Sequence, residues 1–154
     1  MTALAELTAI TGRWQGANHL WLTPQEPVHK SESTAEISAI AHEQFIEIFY
    51  TWADEGKPQE GRIILGRSST SDLVHAVWFD TWHMAHLFMV CEGNVDEKGI
   101  VRVNGFYAAP PGPDWGWQIT IEPEGKDAFR FIMHNITPDG EKFLAVEVAY
   151  SRQE

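Results

Sequence analysis

Trp115-Gly116-Trp117-Gln118-Ile119-Thr120-Ile121-Glu122 alternates apolar and polar side chains from Trp117 onward. It lies between two turn-forming clusters, Pro110-Pro111-Gly112-Pro113-Asp114 and Pro123-Glu124-Gly125-Lys126-Asp127. Successive side chains of an extended chain point to opposite faces, so Trp117, Ile119 and Ile121 share one face and Gln118, Thr120 and Glu122 the other. A helix would scatter these two sets around its circumference. The segment therefore reads as a strand with one buried and one wet face, and its flanks read as turns because Pro presets φ, Gly tolerates positive φ and Asp bonds its own backbone.

The same pattern recurs along the chain. Segments rich in Val, Ile, Phe, Tyr and Trp run from Gly12 to Trp21, Ser33 to Ala41, Gln44 to Ala53, Gly61 to Ser68, Leu73 to Thr81, His86 to Gly93, Ile100 to Ala108, Trp115 to Glu122, Ala128 to Ile136 and Lys142 to Ser151. Most connections are short enough for hairpins, so neighbours in sequence should pair antiparallel in an up-and-down meander. Only Ala3 to Ile10 has helical spacing, with Leu4, Leu7 and Ile10 on one face and Thr2 as a candidate N-cap. One short helix cannot cover a ten-stranded open sheet, whose edges and apolar face would remain exposed. Closure removes both problems and predicts an all-β barrel, residues 1–154 forming one domain. A barrel of this strand number should hold more interior than its side chains fill, hence a cavity.

Composition narrows the function. The 154 residues carry 11 Lys and Arg against 22 Asp and Glu, a formal net charge of -11. Such a field repels phosphate backbones and anionic lipid, which argues against nucleic-acid and membrane partners. No apolar run approaches the roughly 18 residues of a spanning helix. The single Cys91 can form no intrachain disulfide, and the opening Met1-Thr2-Ala3-Leu4-Ala5-Glu6 lacks the basic start and apolar run of a secretory signal. The expectation is a cytoplasmic protein.

Gly12-Arg13-Trp14-Gln15-Gly16 resembles the Gly-x-Trp opening of calycin barrels such as lipocalins. Gly61-Arg62-Ile63-Ile64-Leu65-Gly66, Val77-Trp78-Phe79-Asp80, Asp139-Gly140-Glu141-Lys142 and Tyr150-Ser151-Arg152 extend the likeness to a family of small, uncharacterised bacterial calycin-like proteins, distantly similar to nitrobindin. That resemblance implies the barrel and transfers no chemistry. Nitrobindin-like haem proteins carry their iron-binding histidine on a late strand; here the last strand has none, leaving His134 on the preceding one. The Arg-x-Tyr carboxylate site of fatty-acid-binding proteins is not reproduced, because Tyr150 precedes Arg152.

Parity assigns the interior. Arg102 and Asn104 mark an outer face and leave Val103, Gly105 and Tyr107 inside; Arg130 does the same for Phe129, Phe131 and Met133. The aromatic weight of Trp78, Asp80 and Trp82 favours that set as inward over His75, Val77, Phe79 and Thr81. Ile46, Ile48 and Tyr50, and Val146 and Val148, are inward, which turns Glu47 and Glu147 to solvent. The candidate ligand-binding residues are thus Trp14, Trp78, Asp80, Trp82, Tyr107, Trp117, Phe131 and Met133. Most of these aromatics equally serve as core filling, and Asp80 equally serves as a wall residue satisfied by indole and backbone donors.

His83-x-x-His86 diverges in an extended chain, so no metal site is assigned. Cys91 beside Glu92 is a poor nucleophile. No phosphate loop, nucleophile elbow or dinucleotide fingerprint occurs. Three readings follow. The first is a non-catalytic carrier or sensor of a small apolar or aromatic molecule; the second, an acid–base enzyme of the cyclase, isomerase or decarboxylase type using Asp80 with Tyr107; the third, a haem protein using His134 or another histidine. A homodimer through an apolar outer strand face is a further expectation.

Overall fold

The computed structural model describes residues 4–153. A single turn of helix, α1 (Ala5–Thr8), precedes ten strands: β1 (Gly12–Leu20), β2 (His29–Ile40), β3 (Phe45–Asp54), β4 (Lys57–Arg67), β5 (Leu73–Asp80), β6 (Met89–Val95), β7 (Val101–Tyr107), β8 (Trp115–Pro123), β9 (Ala128–Ile136) and β10 (Lys142–Arg152). Each strand pairs antiparallel with its neighbours in sequence, and β1 pairs with both β2 and β10, so the sheet closes. This is the expected meander barrel.

Local differences from the expected elements have physical causes. β2 begins at His29 rather than Ser33 because Leu20 of β1 pairs with His29, carrying polar residues into the ladder that no apolar alternation marks. β4 likewise begins at Lys57, where Glu55-Gly56 forms a two-residue turn with both residues at positive φ. The helix is shorter than Ala3 to Ile10. Leu4 precedes it in the left-handed region and makes no side-chain cap, while Ala3 and the proposed cap Thr2 lie outside the described residues.

Alternation decides what fills the interior. Ile46, Ile48, Ile63, Leu65, Val103, Ile119, Ile121, Phe131 and Val148 are all buried. Glu47 and Glu147 face outward as expected, against Arg62 and Arg130. One end of the barrel is plugged. Leu4, Leu7 and Ile10 are buried there, and the Trp14 indole donates to the Ile10 carbonyl at 3.0 Å and meets Phe129 edge-on at 5.0 Å. Arg152 covers Trp14 from outside, its guanidinium 4.4 Å from the ring centroid.

The other end carries the β1–β2, β3–β4, β5–β6, β7–β8 and β9–β10 connections. Here β10 has a bulge between Leu144 and Val146, and the Ala145 carbonyl accepts the Trp21 N–H at 2.9 Å, tying the β1–β2 connection to the rim. The β6–β7 ladder holds over Glu92–Val95 against Val101–Asn104 only. Beyond it Met89 and Cys91 occupy the space that a side chain at Gly105 would need. On the outer surface of these neighbouring strands Phe79, Val90 and Phe106 are exposed.

Candidate functional site

Asp80, the last residue of β5, is the hub from which the open end is built. Its Oδ2 accepts the Tyr50 hydroxyl at 2.7 Å and the Trp52 indole N–H at 3.1 Å. Its Oδ1 accepts the backbone N–H of Trp82 at 2.8 Å and of His83 at 3.2 Å. One carboxylate thereby ties the wall at β3 to the turn that leaves β5. The Tyr50 hydroxyl in turn accepts the Trp78 indole N–H at 2.9 Å. Burial first, and the Asp80 charge second, hold the Tyr50 phenol well above its ordinary pKa, so it stays a donor. Gly61 is required beside this cluster, since a Cβ there would collide with the Tyr50 hydroxyl.

The turn fixed by Asp80 delivers His83 into a cage of indoles. Its ring centroid lies 4.8 Å from Trp82, 5.4 Å from Trp117, 5.5 Å from Trp78 and 5.7 Å from Trp52. Burial lowers the His83 pKa and the nearby Asp80 charge opposes that shift, so the imidazole is biased to its neutral form. Its backbone N–H is bonded to Asp80, but the ring makes no hydrogen bond to the described residues.

Above this cage lies a cavity of about 190 Å³. Trp78 and Trp117 form its stacked floor, 5.5 Å apart with planes inclined by 10°, and His83, Tyr107 and Asn135 supply its polar groups. Leu20, Trp21, Leu22, Met84, Met89 and Ala145 complete the wall, and Trp82, 36% exposed, stands at the rim. The Tyr107 hydroxyl donates to Asn135 Oδ1 at 2.6 Å, leaving the Asn135 amide hydrogens available. No Asp, Glu, Lys or Arg lines the cavity.

Of the residues singled out from sequence, Trp78, Trp82, Tyr107 and Trp117 line this cavity; four others do not. Trp14 belongs to the plug at the opposite end, Phe131 packs on Tyr50 at 5.1 Å, and Met133 is buried core. Asp80 lies behind the wall, satisfied by indole, phenol and backbone donors. Trp82 is also not a strand residue: β5 ends at Asp80, and Trp82 reaches the cavity from the following turn. The expected hollow is consequently confined to one end, because large side chains fill the rest.

The acid–base pair of Asp80 and Tyr107 is not assembled, since each hydroxyl or carboxylate has other partners. His134 lies on the outward parity of β9 and is absent from the cavity wall. His83 and His86 part company, His86 being exposed, and no group of three or more metal-ligating side chains occurs among the described residues. Cys91 has its thiol pushed up to about 11 by burial, not by Glu92.

Asn135 was missed, and His83 was weighed only as a metal ligand, not as part of a pocket wall. Asn135 shares the parity of Phe129, Phe131 and Met133 and could have been read from it. His83 escapes parity altogether, because it lies in a turn; its signal is Asp80 three residues earlier, a residue type that caps such turns with its side chain.

A family model described as protein of unknown function, DUF1579, matches residues 4–152. The chain belongs to this family. The DUF1579 chain is similar in fold to the crystal structure of Rv2717c from M. tuberculosis, with a TM-score of 0.68 over 100% of this chain and 99% of that one, at 12% identity. A redesigned β-barrel, b11L5F_LGL, matches with a TM-score of 0.48 and 13% identity, covering 100% of both chains. No curated protein matches the DUF1579 chain significantly. No helix among its described residues is long and apolar enough to cross a membrane.

Proposed function

We propose that this calycin-like barrel is a non-catalytic carrier or sensor that takes a small, mostly apolar molecule into the cavity at its open end. The observation that supports it most is the wall itself. Stacked Trp78 and Trp117, Met84, Met89 and Leu20 form an apolar enclosure with a few convergent polar groups, the usual make-up of a ligand pocket. An apolar cavity of about 150 Å³ admits benzene, so 190 Å³ suits one ring with a small substituent. Ligands of that size gain little affinity per molecule, and binding in the micromolar to millimolar range is the expectation.

The test is a titration of tryptophan fluorescence with small aromatic and aliphatic molecules, in the parent and in Ala145→Leu, which narrows the mouth. A saturable change that is lost in Ala145→Leu supports the proposal. If no probe gives a saturable change, or if the change survives narrowing, the proposal is overturned.

A further inference from the structure

The outer face of β4 to β7 would be polar if it met only water, and it is not. Register sets Ile64 opposite Val77 and Val77 opposite Val90, all three on the outward parity of their strands. Carried one strand further, the row reaches Phe106, because the last pair of the β6–β7 ladder, Glu92 with Asn104, sets Val90 toward Phe106 two residues on. Beside this row Phe79, Leu87 and Phe88 share the wall of one surface depression. Leu87, Phe88, Val90 and Phe106 are each at least 62% exposed, whereas no other large apolar side chain among the described residues exceeds 45%. Polar groups edge the patch without entering it. Arg62, across the ladder from Phe79, is bound to Glu47 at 2.6 Å, His75 stands 3.8 Å from Glu92, and Gln118 donates to Asn104 at 3.2 Å. An apolar centre inside a polar rim is the anatomy of a protein interface.

We propose that this face docks a second copy of the chain, the same patch on each copy meeting across a two-fold axis. Area and charge favour a copy over other occupants. Phe79, Leu87, Phe88, Val90 and Phe106 offer on the order of 500 Å² of apolar surface. A stable interface takes about 800 Å² from each partner, about 65% of it apolar in homodimers, so the patch supplies the apolar share that a dimer needs. Its centre holds no charge for a charged partner to pair. The rim cation Arg62 is already held by Glu47, which leaves two copies free to meet without burying an unpaired charge. The net charge of -11 repels an anionic bilayer, and the patch has no basic belt to overcome that repulsion.

The test is sedimentation velocity of the full chain from about 1 to about 100 μM, the range in which a modest interface of this size dissociates. The expected species at the high end has twice the 17.4 kDa mass of the chain. Because each copy carries a net charge of -11, added salt should tighten the association. An isologous contact uses every residue twice, so Phe106→Lys and, separately, Val90→Lys should each weaken the dimer at least about a hundredfold. Both side chains are exposed, and the urea midpoint of the monomer should barely move. Should either variant not fold, hydrogen exchange in the parent decides: dilution should speed exchange at residues 87–90 and 105–107 and leave β1 and β10 unchanged. A chain that stays monomeric at every concentration overturns the proposal, as does a dimer that survives both substitutions or is dissolved by salt. A monomer that floats with phosphatidylcholine vesicles through these residues also overturns it, since the occupant would then be lipid.

Discussion

The two ends of the barrel bury similar aromatic side chains to different purpose. At the plugged end the Trp14 indole has an acceptor in Ile10 just beyond the helix, its face is covered by Arg152, and Leu4, Leu7 and Ile10 close the space over the core. At the open end the Trp117 indole N–H has no acceptor and the His83 ring no hydrogen-bond partner among the described residues, and the connections leave a cavity instead of a plug. The difference lies in what covers the strand ends. A one-turn helix with its flanking apolar residues Leu4 and Ile10 closes one end, whereas a turn capped by Asp80 shapes the other. Stability should therefore reside at the first end and recognition at the second.

The largest effect expected is at the plug. Trp14→Ala removes a fully buried indole and should lower unfolding free energy by about 4 kcal/mol. The measurement is a urea titration, in which the midpoint drops with little change in slope. The affinity of the folded variant for a small aromatic probe should stay within about twofold of the parent, since the change is at the far end. A large loss of affinity would mean that the ends are coupled and that their division of labour is wrong.

Asp80→Asn probes the join between core and mouth. The amide keeps the volume but presents hydrogens where the carboxylate accepted, so two of the four donors around it lose their acceptor; the cost should be about 2–3 kcal/mol. Here stability and probe affinity should fall together, because the same side chain anchors the wall through Tyr50 and Trp52 and the cavity through Trp82 and His83. Urea titration and fluorescence binding on one preparation check both. A variant that loses stability but binds the small aromatic probe normally would show that Asp80 does not position the mouth.

The contrast between the ends also shows what was legible in the sequence. Period-two alternation separates inside from outside, and it assigned Trp117, Phe131 and Met133 correctly to the interior. It carries no information on depth along the axis. Depth was nonetheless available from topology: in a meander, successive strands run in opposite directions, so Trp14 near the start of β1 and Trp117 near the start of β8 must lie at opposite ends. Treating the inward residues as one lining merged a plug with a cavity. The polar extensions of β2 and β4 were hidden because their partners, not their own side chains, hold them in the ladder. The unpaired Trp117 donor is a property of three-dimensional packing, since the indoles of Trp52 and Trp78 are identical in kind and differ only in having Asp80 and Tyr50 within reach.

The smallest effect is electrostatic and isolates His83. Burial holds its folded pKa below the ordinary value of 6.5, whereas in the unfolded chain the imidazole titrates normally. Below pH 6.5 the unfolded state therefore takes up a proton that the folded state refuses, and stability is lost as pH falls from that point toward the folded pKa. The slope per such histidine is at most about 1.4 kcal/mol per pH unit. His134, also lowered by burial, adds to the loss in the same direction, so the parent alone cannot assign it. Urea titrations of the parent and of His83→Gln at pH 7 and pH 5 separate the two, because the variant should retain only the His134 share and lose less stability on acidification. Binding of a small apolar probe should weaken over the same interval in the parent, since a proton on His83 places a charge on a cavity wall that otherwise carries none. Parallel stability curves for parent and variant would mean that the indole cage does not keep this imidazole neutral, and the mouth would then resemble an ordinary wet barrel rim.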